Sequence, residues 1–266
     1  MGKINRICII GAGHMGEAIA GGMISCSGIL PENITVTART RASLDRIAAK
    51  YPGISVSSDN AAAARGADLA VIAVKPWQTE AVAKEIGPAL DYGHCTVASV
   101  AAGVSFRELS DWLRKGEEVP ALVRIIPNTA IALGQGTTFI AWQGVTADVC
   151  GEISGIFRKM GTVIAVGEEM MAEGTALASC GIAYGLKYID AAIKGGIALG
   201  FGEKEARDIV ISTMKGALAL LETNGTMPQQ EIDKVTTPGG YTFKGLSAME
   251  ECGFSEAVRQ GLIKSV

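Results

Sequence analysis

Arg6-Ile7-Cys8-Ile9-Ile10-Gly11-Ala12-Gly13-His14-Met15-Gly16 is the stretch that decides how this chain folds. Arg6–Ile10 is a short apolar run and reads as a buried strand. From Gly16 to Ser25 small residues dominate and read as a helix. Three glycines at this spacing, set between a strand and a helix, form a turn with a defined use. The first allows the tight bend, the second lets the backbone approach a diphosphate, and the third lets helix and strand pack closely. Free N–H groups and the helix dipole then favour an anion at the helix start.

The pattern continues outward from that turn. Ile34–Ala38, Ile54–Val56, Leu69–Val74, Thr96–Val100 and Ala121–Ile126 read as further strands. Ser43–Lys50, Asn60–Gly66, Thr79–Leu90 and Phe106–Leu113 read as helices between them. Alternation of this kind predicts right-handed crossovers and a doubly wound parallel sheet of Rossmann type, covered on both faces. Thr137–Trp142 and Thr162–Val166 read as its last strands. After about Val166 the texture changes: Met170–Gly200, Glu203–Asn224 and Thr242–Val266 are long, rich in Ala, Leu, Ile and Met, and free of strand signals. The expected division is a dinucleotide-binding domain over 1–166 and an all-helical domain over 167–266. The helices are apolar over more than one stripe, which predicts burial against another subunit.

Composition limits the function classes. Of the 266 residues 48% are hydrophobic and 19% charged, enough apolar material for a core and too little charge for disorder. A net charge of −3 gives no electrostatic reason to seek nucleic acid or an anionic membrane. No window of about 20 uncharged apolar residues suggests a membrane span. The segment from Met1 to Arg6 leads straight into the first strand, so it is expected to belong to the fold and not to a signal peptide. Cys8, Cys26, Cys95, Cys150, Cys180 and Cys252 form no CxxC pair, and the only histidines are His14 and His94. Reduced thiols in a cytoplasmic protein, with no metal site, are the expectation.

The second strand ends Val36-Thr37-Ala38-Arg39-Thr40-Arg41. Sites that prefer NAD put an acid here to bond the ribose 2′-hydroxyl. Two arginines and a hydroxyl stand here instead, and guanidinium groups grip a 2′-phosphate. NADP(H) is the expected cofactor, with NAD(H) as the alternative. Near the C-terminus, Asp233-Lys234-Val235-Thr236-Thr237-Pro238-Gly239-Gly240-Tyr241-Thr242 precedes a helical stretch, Phe243–Glu251. Two hydroxyls, a turn and a helix start direct several N–H groups one way. That suits a carboxylate, and it equally suits a plain helix-capping turn.

This C-terminal segment resembles the signature of pyrroline-5-carboxylate reductases: valine, threonine or serine, serine, Pro-Gly-Gly, any residue, threonine. Val74-Lys75-Pro76, Ala101-Ala102-Gly103, Pro127-Asn128-Thr129 and Asp190-Ala191 with Gly195-Gly196 and Gly200 match further motifs of that family in the same order. The resemblance implies an oxidoreductase of proline biosynthesis. It would transfer a hydride from NADPH to the cyclic imine Δ1-pyrroline-5-carboxylate and give L-proline. It implies a helical domain that forms a homodimer and allows a larger ring such as a decamer. Gly11, Ala12, Gly13, His14, Met15 and Gly16, with Arg39, Thr40 and Arg41, would hold the nucleotide. Asn60 would reach the ribose, and Val74, Lys75, Pro76, Ala102 and Gly103 would line the nicotinamide side. Glu168, Thr237, Gly240, Tyr241 and Thr242 would bind substrate, with Thr242 nearest the chemistry as a donor to the ring nitrogen.

The chain departs from the family in places. The family's Ser-Gly-Ser-Gly-Pro-Ala-Tyr is Ala178-Ser179-Cys180-Gly181-Ile182-Ala183-Tyr184, so both serines are displaced and the proline is gone. Ala130 replaces a proline and Thr237 a serine. Two other readings stay open. A hydroxyacid dehydrogenase of related architecture would use a helical lysine, here Lys187, as acid and base. However, Ala191 stands where its asparagine is expected. A nucleotide-sensing homologue with weakened catalysis would rest on the altered serine segment.

Overall fold

The computed structural model describes residues 4–266. The first three positions of the opening segment, and of the expected 1–166 domain, lie outside the described residues. The chain forms two compact units, one ending at Ser179 and the other running from Cys180 to Val266.

The first unit is built on one sheet. Its strands are β1 (Ile7–Ile10), β2 (Ile34–Thr37), β3 (Ser55–Ser57), β4 (Leu69–Ile72), β5 (Thr96–Ser99), β6 (Ala121–Pro127), β7 (Gly136–Gln143) and β8 (Gly161–Ala165). Their order is β3-β2-β1-β4-β5-β6-β7-β8. The whole of β1 is buried, and its side chains alternate between two cores. Ile7 and Ile9 pack with Ile34, Val36, Val71 and Phe157, whereas Cys8 and Ile10 pack with Ile72, Val97, Ile86 and Leu109. Side chains of successive strand residues point to opposite faces, so a strand apolar throughout needs cover on both. That cover comes from α1 (His14–Ser25), α2 (Arg41–Lys50), α3 (Asn60–Ala64), α4 (Pro76–Ile86), α5 (Phe106–Leu113) and α6 (Ala147–Arg158).

Neighbouring strands are parallel except β6 and β7, which pair antiparallel. A parallel crossover needs about a dozen residues. The link between these two offers only 128–135, part of it wound into a 3-10 turn, Thr129–Leu133. The sequence reading assigned nothing to α6, the crossover from β7 to β8. Its buried Val149, Ile153, Ser154 and Phe157 carry a helical spacing that was there to be read. Helix α4 begins three residues before its expected start, with Pro76 at its first position, and gives way to a 3-10 turn at Gly87-Pro88-Ala89.

The expected helix over Met170–Gly200 is divided. A short helix, α7 (Met171–Gly174), is followed by a π-helical turn, Thr175–Cys180. The second unit then begins with α8 (Gly181–Ala198) and continues with α9 (Glu203–Asn224), α10 (Pro228–Val235), α11 (Tyr241–Glu251) and α12 (Phe254–Ile263). The expected stretch Thr242–Val266 is split at Gly253, whose φ of 77° is left-handed. The Tyr184 hydroxyl of α8 donates to Gly261 O of α12 at 3.2 Å, and Tyr188 meets Phe254 edge to face. Among the residues of this unit only Ala206 is buried.

Candidate active site

The glycine turn is held by its neighbours. Gly11 has φ of 113°, and its N–H donates to Thr37 O at the end of β2. A Cβ at Gly16 would run into the Gly11 carbonyl, so the close strand–helix contact needs glycine there. At Gly13 the opposite holds: a Cβ would meet nothing within 4 Å. This open side is where a diphosphate would need to come close. Gly13 caps α1 without a side-chain hydrogen bond, and Glu17 N already bonds Gly13 O. That leaves the N–H groups of His14, Met15 and Gly16 to an anion. The geometry therefore fits the diphosphate of a dinucleotide, which would be held by Gly11, Ala12, Gly13, His14, Met15 and Gly16.

A basic cluster on α2 supports this turn from the side. Arg46 donates to Ala12 O at 2.9 Å and pairs with Glu17, while Lys50 Nζ lies 2.7 Å from the other Glu17 oxygen. Lys50, and then Arg46, hold the Glu17 carboxyl below its usual range. In a trans peptide the C=O and N–H point oppositely, so anchoring Ala12 O towards α2 turns Gly13 N–H away from that helix. Arg46 was not among the residues singled out from the sequence. Its partner is 29 positions away, and no local pattern announces the pair.

Arg39, Thr40 and Arg41 stand together where β2 gives way to α2. Arg39 and Arg41 are exposed. Arg41 Nε reaches Asp45 at 2.9 Å, and the Thr40 hydroxyl caps α2 by accepting from Ser43 N at 3.3 Å. Thr40 thus carries a structural task of its own, and Arg41 would share its charge between Asp45 and a 2′-phosphate. Asn60, the first residue of α3, accepts from the Thr37 hydroxyl at 2.6 Å and donates to Glu85 at 2.9 Å. Its amide is oriented by these two bonds beside the same strand ends.

Val74, Lys75 and Pro76 follow β4 and open α4, with Lys75 at the N-cap. Ala102 and Gly103 follow β5 and are exposed between the buried Ala101 and Val104. The groups from β1, β2, β4 and β5 therefore gather at the carboxyl ends of adjacent strands. The strand order reverses between β1 and β4, the position at which open sheets of this kind bind ligands. Glu168 lies after β8 and points back into the sheet's second half, where Oε1 accepts from Phe106 N at 2.6 Å and from Arg124 at 3.0 Å.

In the second unit, Thr237, Gly240, Tyr241 and Thr242 come together at the start of α11. Gly240 N donates to Thr237 O at 2.9 Å, and a Cβ at Gly240 would strike the Thr237 hydroxyl. Gly240 caps α11 with no side-chain bond, Tyr241 is 95% exposed, and Gly239 has φ of 72°. The loop offers open N–H groups and two hydroxyls at a helix N-terminus, the equipment for a carboxylate. Lys187 is exposed on α8 beside Tyr184, Tyr188 and Phe254, an apolar groove wall. Of the hydroxyls there, that of Tyr184 is engaged with Gly261 O and the Ser265 hydroxyl.

Comparison with known proteins bears on both units. Residues 168–266 match the family model described as pyrroline-5-carboxylate reductase dimerisation, and residues 6–103 match the model described as NADP oxidoreductase coenzyme F420-dependent. Pyrroline-5-carboxylate reductase 1 of Dictyostelium discoideum is 33% identical over 98% of this chain, which spans 48% of that relative's length. The pyrroline-5-carboxylate reductase of Pisum sativum is 33% identical over 96% of this chain and 91% of its own. Among solved structures, the pyrroline carboxylate reductase of Plasmodium falciparum with NADP bound is 26% identical. It covers 99% of this chain and 97% of its own, with a TM-score of 0.89.

Proposed function

The chain belongs to the pyrroline-5-carboxylate reductase family, and from that membership we propose that the candidate site of its first unit serves the nucleotide and that of its second a cyclic imine. The protein is an NADP-dependent oxidoreductase that reduces Δ1-pyrroline-5-carboxylate to L-proline. When bound, the reduced nicotinamide supplies the hydride. What remains for the protein is to hold, orient and exclude water.

The glycine turn and the N-terminus of α1 would hold the diphosphate, with Arg39, Thr40 and Arg41 at the 2′-phosphate and Asn60 at the ribose. Val74, Lys75, Pro76, Ala102 and Gly103 would flank the nicotinamide. Thr237, Gly240 and Tyr241 would take the substrate carboxylate through the start of α11, and the Thr242 hydroxyl would donate to the ring nitrogen. The imine is protonated before it reacts and is already electron-poor, so no strong acid is required of the protein; its nitrogen gains a lone pair only as the hydride reaches the carbon, and it is to this developing lone pair that the Thr242 hydroxyl would donate. That no strong acid is needed agrees with a chain whose two histidines stand in the glycine turn and at the opposite end of β5. The observation that carries the reading is the pairing of an open, uncapped glycine turn with an open, uncapped Pro-Gly-Gly turn. Each suits one of the two anionic ends that must be gripped.

Within one chain only Ala206 of the helical unit is fully buried, and large apolar side chains such as Leu186, Leu199 and Leu218 stay exposed, which supports a homodimer through α8 to α12, with a decamer as a larger ring built from it. Free thiols at all six cysteines and the absence, among described residues, of a helix long and apolar enough to cross a membrane support a cytoplasmic enzyme. Steady-state NADPH oxidation is the test. Wild-type enzyme should turn over Δ1-pyrroline-5-carboxylate and leave a hydroxyacid with NADP untouched. Turnover of the hydroxyacid alone would favour the dehydrogenase reading, and binding of NADPH without turnover of either would favour the sensor.

A further inference from the structure

Arg124 lies in the middle of β6, in register with Ser99 of β5 and Ala141 of β7, and is only 7% exposed. A guanidinium keeps its proton at any working pH, so burying it demands a partner. That partner is Glu168, 44 positions later, whose Oε1 accepts from Nη1 at 3.0 Å. Arg124 Nε is enclosed and has no hydrogen-bond partner among the described residues. The Glu168 oxygen makes the direct ion pair with this buried charge, and the Glu108 carboxylate adds a longer-range attraction.

The same oxygen accepts from Phe106 N at 2.6 Å. Phe106 is the first residue of α5, immediately after the segment that carries Ala102 and Gly103. The other end of that segment is tied as well, since Ala101 N donates to the buried Ser99 hydroxyl at 3.3 Å. Between the two anchors Val104 is buried, Gly103 has φ of 78°, and Ala102 and Gly103 are the exposed tip. Ser105 adds a local brace through its capping box with Glu108. Glu168 meanwhile opens the chain's passage from β8 towards the second unit.

We propose that Arg124 and Glu168 are a pair of positioning residues: the buried guanidinium aims the Glu168 carboxylate at Phe106 N–H, and this fixes the Ala102-Gly103 tip. The inference rests on the reading that this tip flanks the nicotinamide. It gives Glu168 a task that needs no contact with substrate, and it gives Arg124 a part that the sequence did not suggest. A loop off by a fraction of an ångström would slow hydride transfer without loosening the imine's carboxylate.

The test uses Glu168→Ala, Glu168→Gln and Arg124→Lys in the full-length enzyme. Hydrogen exchange of the 101–106 segment, read in the free protein by mass spectrometry, should speed up about tenfold in Glu168→Ala and less in Glu168→Gln, which keeps an acceptor for Phe106 N–H. In turnover, kcat should fall in the same order, by roughly tenfold for Glu168→Ala, while KM for Δ1-pyrroline-5-carboxylate stays within about twofold. Combining Arg124→Lys with Glu168→Gln should cost little more than the worse single change, because both break one link. Unchanged exchange in Glu168→Ala overturns the proposal. So does a large rise in KM with kcat intact, which would make Glu168 a substrate ligand. If alanine prevents folding, Glu168→Gln, which keeps the volume of the side chain, carries the same comparison. Should the wild type not reduce the imine at all, the function assigned above fails, and the exchange experiment still decides whether the clamp exists.

Discussion

Single residues at the nucleotide turn have opposite tolerances. Gly16 faces the Gly11 carbonyl, whereas Gly13 faces open space, so Gly16→Ala should disrupt the fold of the turn while Gly13→Ala should fold and lose NADPH. Circular dichroism alongside a fluorescence titration with NADPH separates the two outcomes. Arg39→Asp should weaken NADPH by tenfold or more and leave NADH within about threefold, since one charge-assisted bond contributes about 1.5–3 kcal/mol; equal losses for both cofactors would remove Arg39 from the 2′-phosphate. Burial pushes the Cys8 and Cys95 thiols up to about 12, the charge of Cys95 adding to the effect at Cys8. Both should resist iodoacetamide at pH 8 in the native protein and react once it is unfolded, as peptide mass spectrometry would show. At this scale the glycine turn was legible because its chemistry is local, and the two arginines stand exposed at the strand end where the sequence puts them. Arg46 and Arg124 were not legible, because each is defined by a partner far along the chain.

Elements are fixed by local caps and by ties between helices. Helix α5 has eight residues and begins with a capping box, in which Ser105 accepts from Glu108 N and the Glu108 carboxylate accepts from Ser105 N. Ser105→Ala should cost about 1 kcal/mol in denaturant unfolding, and a change below a few tenths would show that packing alone holds the helix. Helices α1 and α2 are joined through Glu17. With the folded carboxyl held below 4.5 by Lys50 and Arg46, its contribution is fully present above that pH and is lost as pH falls through the lower folded value. The stability gap between wild type and Glu17→Gln should therefore stay constant from neutral pH to about 5 and then close. A gap that widened on acidification would contradict the pairing. Both α5 and α9 could be read from the sequence residue for residue, since each has clear caps or a clear period. The sequence concealed the antiparallel turn of β6 and β7, whose strand patterns are the same for either direction. It also concealed the π-helical turn at Thr175–Cys180, since Ser179 donating to Pro127 O at 3.0 Å is a tertiary bond with no sequence mark.

For the whole molecule the contrast between the units matters most. The first has two cores, one on each face of the sheet. The second exposes Leu186, Leu199, Leu218 and Phe243 to between 49% and 83%. Exposed apolar side chains gathered on one unit mark an interaction surface. Light scattering at micromolar concentration should give a mass of at least twice 27.5 kDa, and a mass near 27.5 kDa would mean that the helices stand alone. The excess of apolar residues was visible in the sequence; the partner geometry was not, because one chain's pattern does not record which faces meet. The proposed function stands on direct hydride transfer from NADPH to the imine carbon. It is tested most directly with NADPH carrying deuterium at the transferable C4 position, given to the enzyme with Δ1-pyrroline-5-carboxylate. The expected product is L-proline with a single deuterium at C5, formed from one of the two C4 epimers of the label and not from the other. Absence of proline, or proline without deuterium from either epimer, would contradict it.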